Sequence, residues 1–275
     1  MIAFRRLACL ILLMAAGIAQ AGAPETNAHS PLRVMVVGNS LVYSNNLPGL
    51  LRSLARSQPD GPAIETESYV APGEDLAGHW KRGAAARALQ ARHWDALVLQ
   101  ERGGTLACLE SLGQKDEPAC RASVRAHRQF AELAQKHGIR VLLLGTWGPD
   151  DQWQQRLDRA LLRIARQIGA TAVGAGARLR AYQSAHRATA LFTDAALHPS
   201  LPASLMLAAM LYRDITGRSA QAHDVVLDVP LLRPLAALDG SEPLEHQNPI
   251  GAVADRTVVP AAELSPLLQA IDGQR

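Results

Sequence analysis

The chain has 275 residues, an apolar share of 48% and a formal net charge of +3. This apolar share is enough for a sizeable buried core, which excludes an intrinsically disordered chain. Two of the arginines lie within the first six residues, and no dense basic stripe with interleaved aromatic residues follows. The composition therefore gives no support to nucleic-acid binding.

Residues 1–23 have the pattern of a cleaved signal peptide. Arg5 and Arg6 precede an apolar run over 7–18, and residues 19–21 (Ala-Gln-Ala) have the small residues of a cleavage site. The run is short for a membrane span, and no later segment is long and apolar enough for one. The sequence thus predicts cleavage after residue 21 or 23, and a mature chain that is periplasmic or secreted.

Strand and helix patterns then alternate along the chain. Predicted strands cover 33–38, 63–70, 95–100, 139–146 and 171–173; predicted helices cover 47–57, 75–91, 121–137, 152–168, 175–186 and 201–216. This order predicts one α/β domain over 31–217, a flavodoxin-like, five-stranded parallel sheet between two layers of helices. Residues 218–275 are rich in proline and are predicted to form an irregular extension that packs on the same domain, with a short closing helix over 264–271.

A serine follows the first predicted strand at a position suited to chemistry. The valine-rich strand ends at Gly38, and Asn39 and Ser40 come next. In open parallel sheets, ligands bind beyond the carboxyl ends of the strands, so a serine here is held by a rigid scaffold and fits a nucleophile. The alternative is that Ser40 caps the helix that follows, as serines commonly do.

Two later motifs extend this pattern. Residues 71–73 (Ala-Pro-Gly) follow the second strand, and residues 194–200 (Asp-Ala-Ala-Leu-His-Pro-Ser) precede the helix predicted over 201–216. Together with residues 38–41 (Gly-Asn-Ser-Leu), they resemble, in order, the sequence blocks of the SGNH (GDSL-like) hydrolases, with Asn39 where better-known members have Asp. The resemblance implies the three-layer α/β/α fold of that family.

The same resemblance implies a serine esterase that works through an acyl-enzyme. Ser40 would be the nucleophile, His198 the general base and Asp194 the acid that orients the imidazole. The backbone N–H groups of Ser40 and Gly73 would contribute to the oxyanion hole, which must stabilise the tetrahedral intermediate.

Two departures from the family pattern bear on this site. Residues 195–197 separate Asp194 from His198, where the family usually has two intervening residues, and this predicts an imperfect approach of the carboxylate to the imidazole. The asparagine that usually joins the oxyanion hole after the third strand is absent. Gln100 carries the same amide group there and is predicted to replace it, with polar packing as the alternative; Arg102 is the other possible donor.

Cys108 and Cys120 are the two cysteines of the predicted mature chain. In an oxidising compartment they are predicted to form a disulfide, with two unrelated thiols as the alternative. Their spacing does not match a zinc pattern, so no metal is predicted. Trp147 follows the fourth strand and, with Arg102, is placed at the substrate rim, where Trp147 would either stack on a sugar ring or simply pack.

The predicted function is hydrolysis of a small-molecule or glycan ester, with a small acyl group and a carbohydrate alcohol, and without a cofactor. These substrate features follow from the resemblance and the predicted compartment. The alternatives are an O-acetyl transferase with the same triad, and a non-catalytic carbohydrate-binding protein, which the two departures motivate. A nucleotide binder is disfavoured because no glycine-rich phosphate loop follows the first strand.

Overall fold

The computed structural model describes residues 30–248 and 256–273, so the predicted signal peptide lies outside the described residues. The strands are β1 (Leu32–Gly38), β2 (Ile64–Val70), β3 (Ala96–Leu99), β4 (Arg140–Leu144), β5 (Thr171–Val173), β6 (Val225–Leu227) and β7 (Thr257–Val259). The helices are α1 (Ser40–Tyr43), α2 (Leu47–Arg56), α3 (Leu76–Arg82), α4 (Ala84–Ala91), α5 (Pro118–Lys136), α6 (Asp151–Ile168), α7 (Ala175–Ala185), α8 (Leu201–Thr216) and α9 (Ala261–Asp272). In these ranges, every helix is too short or too polar to cross a bilayer.

Five strands form a parallel sheet in the order β2-β1-β3-β4-β5. Strand β1 lies between β2 and β3, so that Val36 has Ser68 on one side and Val98 on the other. The chain leaves β1 toward one edge and returns through β3 toward the other, which makes the end of β1 the switch point where such sheets bind ligands. The predicted five-stranded parallel sheet is confirmed.

Alternate strand residues enter two separate cores, one on each face of the sheet. Val34 and Val36 pack with helices α2, α7 and α8, whereas Met35 and Val37 pack with helices α3 to α6. A fully buried aliphatic side chain contributes about 1.5–3 kcal/mol relative to an exposed one. Helices therefore cover both faces, and the three-layer α/β/α architecture is confirmed.

One predicted helix is two helices in the structure. The prediction of a single helix over 75–91 is wrong because Gly83 adopts a φ of 77° and ends α3 before α4 begins. The N–H of Gly83 bonds to the carbonyl of His79, as is usual for a glycine at a helix C-terminus.

The chain beyond Gly217 is more regular than its prolines predict. Strands β6 and β7 form an antiparallel pair, and helix α9 follows them. The extension joins the core that contains α2 and α8, to which it contributes Val225, Leu232, Val259 and Leu264. The prediction of an irregular segment is wrong for β6 and β7, because the extension buries apolar side chains of its own, whereas the closing helix predicted over 264–271 is present as α9.

The extension is fastened to the outer strand of the sheet through one carboxylate. Glu245 lies in a short 3-10 turn (Leu244–His246) and accepts hydrogen bonds from the Ser68 N–H at 2.8 Å, the Ser68 hydroxyl at 2.9 Å and the Thr66 hydroxyl at 2.6 Å. Arg52 completes the cluster with an ion pair to Glu245 at 3.2 Å. Glu245 therefore provides hydrogen-bond acceptors along the outer side of β2, where the described residues contain no further strand.

The predicted disulfide between Cys108 and Cys120 is present, with a Cα–Cα distance of 6.0 Å. It joins a 3-10 segment (Thr105–Glu110) to the first turn of α5. The segment between the two cysteines is largely exposed, so the disulfide fastens a surface excursion that leaves the end of β3.

Candidate active site

Ser40 is the first residue of helix α1, and Asn39 caps that helix. The Asn39 side-chain oxygen accepts a hydrogen bond from the N–H of Leu41 at 3.1 Å. The alternative that Ser40 serves as the cap is therefore wrong. The Ser40 hydroxyl instead contacts the Nε2 atom of His198 at 2.9 Å.

His198 is held by a tight loop before α8. Phe192 and Pro199 form an isolated antiparallel bridge, and the N–H of Thr193 donates to the carbonyl of His198 at 2.9 Å. Leu197 has a φ of 61°, a left-handed conformation that a leucine rarely adopts. The indole N–H of Trp147 donates to the Leu197 carbonyl at 2.7 Å, which supports this turn from the end of β4.

Both oxygens of Asp194 contact His198. One lies 2.7 Å from Nδ1 of the imidazole, and the other accepts the backbone N–H of His198 at 3.2 Å. The prediction of an imperfect approach is wrong because the left-handed turn at Leu197 takes up the additional residue. The described chain thus contains a continuous series of contacts from Asp194 through His198 to Ser40.

The electrostatics of this pair favour an ionised carboxylate. Partial desolvation acts to raise the pKa of Asp194, but hydrogen bonds from the ring and the backbone N–H of His198 outweigh it, so the net pKa is lowered. An ionised Asp194 keeps a proton on Nδ1, which leaves the Nε2 lone pair directed at the Ser40 hydroxyl. The Asp194 side chain is 41% exposed, so water screens part of its charge.

Gly73 lies on the neighbouring loop, three residues beyond Val70, which pairs with Gly38 at the end of β1. Its φ of 63° favours glycine, and its residue is exposed at the rim. Within the described residues, neither the Gly73 N–H nor the Ser40 N–H has a hydrogen-bond acceptor. Both groups remain available as donors to a ligand.

The prediction that Gln100 supplies an oxyanion donor is wrong. Its side-chain oxygen accepts the N–H of Asn39 at 3.1 Å, and its amide nitrogen donates to the carbonyl of Glu101. The residue is 1% exposed and packs against Gly38. Gln100 therefore packs against the loop that carries Ser40 and stabilises it. This is the polar packing that the sequence analysis gave as the alternative.

Glu101 is a positioning residue that the sequence analysis missed. It is 2% exposed and accepts hydrogen bonds from the N–H of Leu76 at 3.3 Å, the N–H of Arg102 at 2.7 Å and the hydroxyl of Ser123 at 2.5 Å. These bonds join the loops after β2 and β3 to α5. A charged residue two positions after the fully apolar strand β3 is the one signal that could have indicated it, since buried carboxylates require partners.

The two predicted rim residues differ in exposure. Trp147 is 4% exposed and stacks on Phe192 with ring centroids 6.0 Å apart, so packing is its main role and only part of its surface faces the site. The Arg102 side chain is exposed, and its guanidinium makes no hydrogen bond within the described residues. Residues 30–248 and 256–273 contain no cluster of three or more His, Cys, Asp or Glu side chains that could hold a metal ion.

Asn39 also connects Ser40 to the Gly73 loop, which gives a testable prediction. The Asn39 amide nitrogen donates to the carbonyl of Glu74 at 2.9 Å. Asn39→Asp keeps the cap oxygen but replaces this donor by a second oxygen, which repels the carbonyl. We expect the ester turnover predicted from the sequence to fall about 10- to 100-fold, less than the roughly 10²- to 10³-fold loss that follows removal of an oxyanion donor, while the melting temperature changes little. Equal activity of Asn39→Asp and the wild type, measured on one activated ester, would contradict this role.

Comparisons with known proteins agree on the fold. No family profile and no curated protein matches the sequence. Among solved structures, a candidate SGNH hydrolase from Slackia heliotrinireducens has a TM-score of 0.55 and 22% identity, covering 67% of this chain and 98% of its own. A DUF4886 family protein from Bacteroides uniformis has a TM-score of 0.52 and 12% identity, over 69% of this chain and 84% of its own. A catalytic mutant of Axe2, an acetylxylan esterase from Geobacillus stearothermophilus, has a TM-score of 0.51 and 12% identity, over 68% of this chain and 94% of its own.

Proposed function

We propose, from the SGNH hydrolase fold of this chain and the contacts around Ser40, that the protein is a serine esterase. The observation that carries the proposal is the series of contacts from Asp194 to His198 at 2.7 Å and from His198 to Ser40 at 2.9 Å. A capping role for Ser40 would not explain these contacts, since Asn39 is the residue that caps the helix. A nucleophile, a base and an orienting acid in series do require it.

The proposed reaction has two halves. The Ser40 oxygen attacks the ester carbonyl carbon while Nε2 of His198 takes the hydroxyl proton, a transfer that contributes roughly 10²- to 10⁴-fold in such enzymes. The N–H groups of Ser40 and Gly73 stabilise the oxyanion. His198 then gives the proton to the leaving alkoxide, and the acyl group stays on Ser40. In the second half, His198 takes a proton from a water molecule whose oxygen attacks the acyl carbon. The bond from that carbon to the Ser40 oxygen then breaks, the proton passes from His198 to the Ser40 oxygen, and the acid leaves.

Two alternatives share the same fold. A non-catalytic carbohydrate-binding protein was motivated by the spacing between Asp194 and His198 and by the missing asparagine after the third strand. The 2.7 Å contact removes the first motive. The second motive remains, with the N–H groups of Ser40 and Gly73 as the proposed oxyanion donors. An O-acetyl transferase would use the same acyl-enzyme but pass the acyl group to an alcohol.

We retain a carbohydrate alcohol as the proposed leaving group, and export to the periplasm or medium as the proposed location.

A fluorophosphonate probe tests this proposal, because it reacts with activated serines. We expect stoichiometric labelling of the purified protein and expect mass spectrometry to place the adduct on Ser40. Ser57→Ala, which changes a serine at the end of α2, is the matched control and should label normally. An unlabelled wild-type protein would refute the esterase and the transferase together. Hydrolysis that gives way to ester formation when an alcohol is added would favour the transferase.

A further inference from the structure

A groove with a volume of about 380 Å³ borders the two segments that carry Ser40 and His198. It is lined by Leu41, Gly103, Trp147, Pro149, Trp153 and the 195–197 segment. Leu41 is the residue after Ser40, and Leu197 is the residue before His198, so the groove lies next to the proposed catalytic site. Its volume lies in the usual range of small-molecule sites, roughly 300–1,000 Å³.

The side chains that line the groove are mostly apolar. No charged side chain lines it, and its polar side-chain groups are two indole N–H groups. The indole N–H of Trp147 already donates to Leu197, which leaves that of Trp153 and the backbone of the lining segments for a polar ligand. A sugar in this groove would lose water from several hydroxyls and find few side-chain partners, which is unfavourable. A hydrocarbon chain would lose only apolar contact with water, which is favourable.

The order of the two half-reactions indicates which part of the ester occupies the groove. In the second half-reaction, water must take the place of the departed alcohol beside Nε2 of His198, so the alcohol side has to be open to solvent. The acyl group stays attached to Ser40 in both halves and needs no such access. A mainly apolar groove that borders the segment of Ser40 therefore fits the acyl side.

We infer that this groove binds the acyl chain of the substrate, and that the enzyme prefers apolar acyl chains longer than acetyl. The inference rests on the proposed esterase function and replaces the expectation of a small acyl group. It leaves the identity of the alcohol unchanged, because the alcohol lies outside the groove.

The test is a series of p-nitrophenyl esters from acetate to decanoate, assayed under conditions where they are soluble. We expect kcat/KM to rise about two- to fourfold for each added methylene until the groove is filled. A parallel series of acetates with alcohols of increasing length should show no comparable rise. A flat acyl series, or a rise confined to the alcohol series, would overturn the inference while leaving the esterase intact.

Two glycine variants test whether the preference for longer acyl chains arises in this groove. A Cβ at Gly103 would meet only Leu41, at 3.4 Å, so Gly103→Leu places a side chain in the groove. We expect the ratio of octanoate to acetate kcat/KM to fall at least about tenfold, the value of several lost methylene contacts. Gly113→Leu is the control, since a Cβ there meets nothing within 4 Å and Gly113 does not line the groove, and it should keep the wild-type ratio. An unchanged ratio in Gly103→Leu would overturn the inference.

A binding measurement separates this inference from the esterase proposal. The Ser40→Ala protein retains the groove, and calorimetry can compare its affinity for p-nitrophenyl hexanoate and p-nitrophenyl acetate. Tighter binding of the hexanoate, weakened by Gly103→Leu, supports the groove even if no ester is hydrolysed. Equal affinity for the two esters overturns it even if Ser40 is catalytic.

Discussion

Ser40→Ala is expected to lower ester turnover by several orders of magnitude while leaving the melting temperature unchanged. The hydroxyl oxygen is the proposed attacking atom, and loss of a triad nucleophile lowers kcat roughly 10⁶-fold in a well-studied serine protease. Stability should be retained because Asn39, not Ser40, caps α1, so the usual loss of about 0.5–2 kcal/mol for a removed cap does not apply. The measurements are kcat/KM on p-nitrophenyl esters and thermal unfolding.

Ser57→Ala is the control for this result. Its hydroxyl donates to the carbonyl of Leu54 at 2.8 Å, at the end of α2, and takes no part in the proposed site. The control should keep wild-type turnover. Retained turnover in the Ser40→Ala protein would exclude Ser40 from the mechanism. A large fall in the melting temperature of that protein would show that Ser40 has a structural role, which its hydrogen bonds do not indicate.

The second large effect concerns the two partners of Ser40. We expect His198→Ala to be nearly as damaging as Ser40→Ala, and Asp194→Asn to cost roughly 10²- to 10⁴-fold in kcat. The two oxygens of Asp194 accept two N–H donors of His198, and an asparagine has only one oxygen for them. One donor then loses its partner, and the imidazole is biased toward the wrong tautomer. Because the Asp194 side chain is 41% exposed, water relieves part of this loss.

The pH profile makes this prediction specific. The lowered pKa of Asp194 keeps its carboxylate ionised below the usual titration range of aspartate, so titration of Asp194 itself should not alter the gap between wild type and Asp194→Asn from about pH 5 to 8. Asp228→Asn is the matched control, since Asp228 is also exposed and paired, with Arg56, at a remote site. Full activity of Asp194→Asn would exclude the acid from the mechanism. A loss equal to that of His198→Ala would show that exposure does not weaken its role.

The sheet was predictable because its strands are short apolar runs separated by helices with clear periodicity. The elements that escaped prediction lack such a local signal. Strands β6 and β7 have three residues each and pair across about 30 intervening residues, so only tertiary contacts define them. Gly83 ends a helix inside an otherwise continuous helical pattern, and its left-handed conformation is not visible in the sequence.

The side-chain geometry of the site could likewise be predicted only in part. Ser40 is predicted from its position after the first strand, and Gly73 and His198 are predicted from the resemblance to the SGNH hydrolases. Their finer geometry could not be predicted, because it depends on a left-handed turn at Leu197 that leucine rarely adopts. The direction of the Gln100 amide is likewise set by its hydrogen bonds to Asn39 and Glu101, which no spacing rule contains.

The contact between Glu245 and strand β2 bears on aggregation of the folded chain. An outer strand with free N–H and carbonyl groups recruits strands from other molecules, and natural proteins prevent this by covering such edges. A chain shortened to end at Gly217 would expose the Ser68 N–H and the apolar surface under Val225 and Leu264. The extension therefore protects this edge of the sheet against aggregation, and a recombinant protein should include it through Asp272.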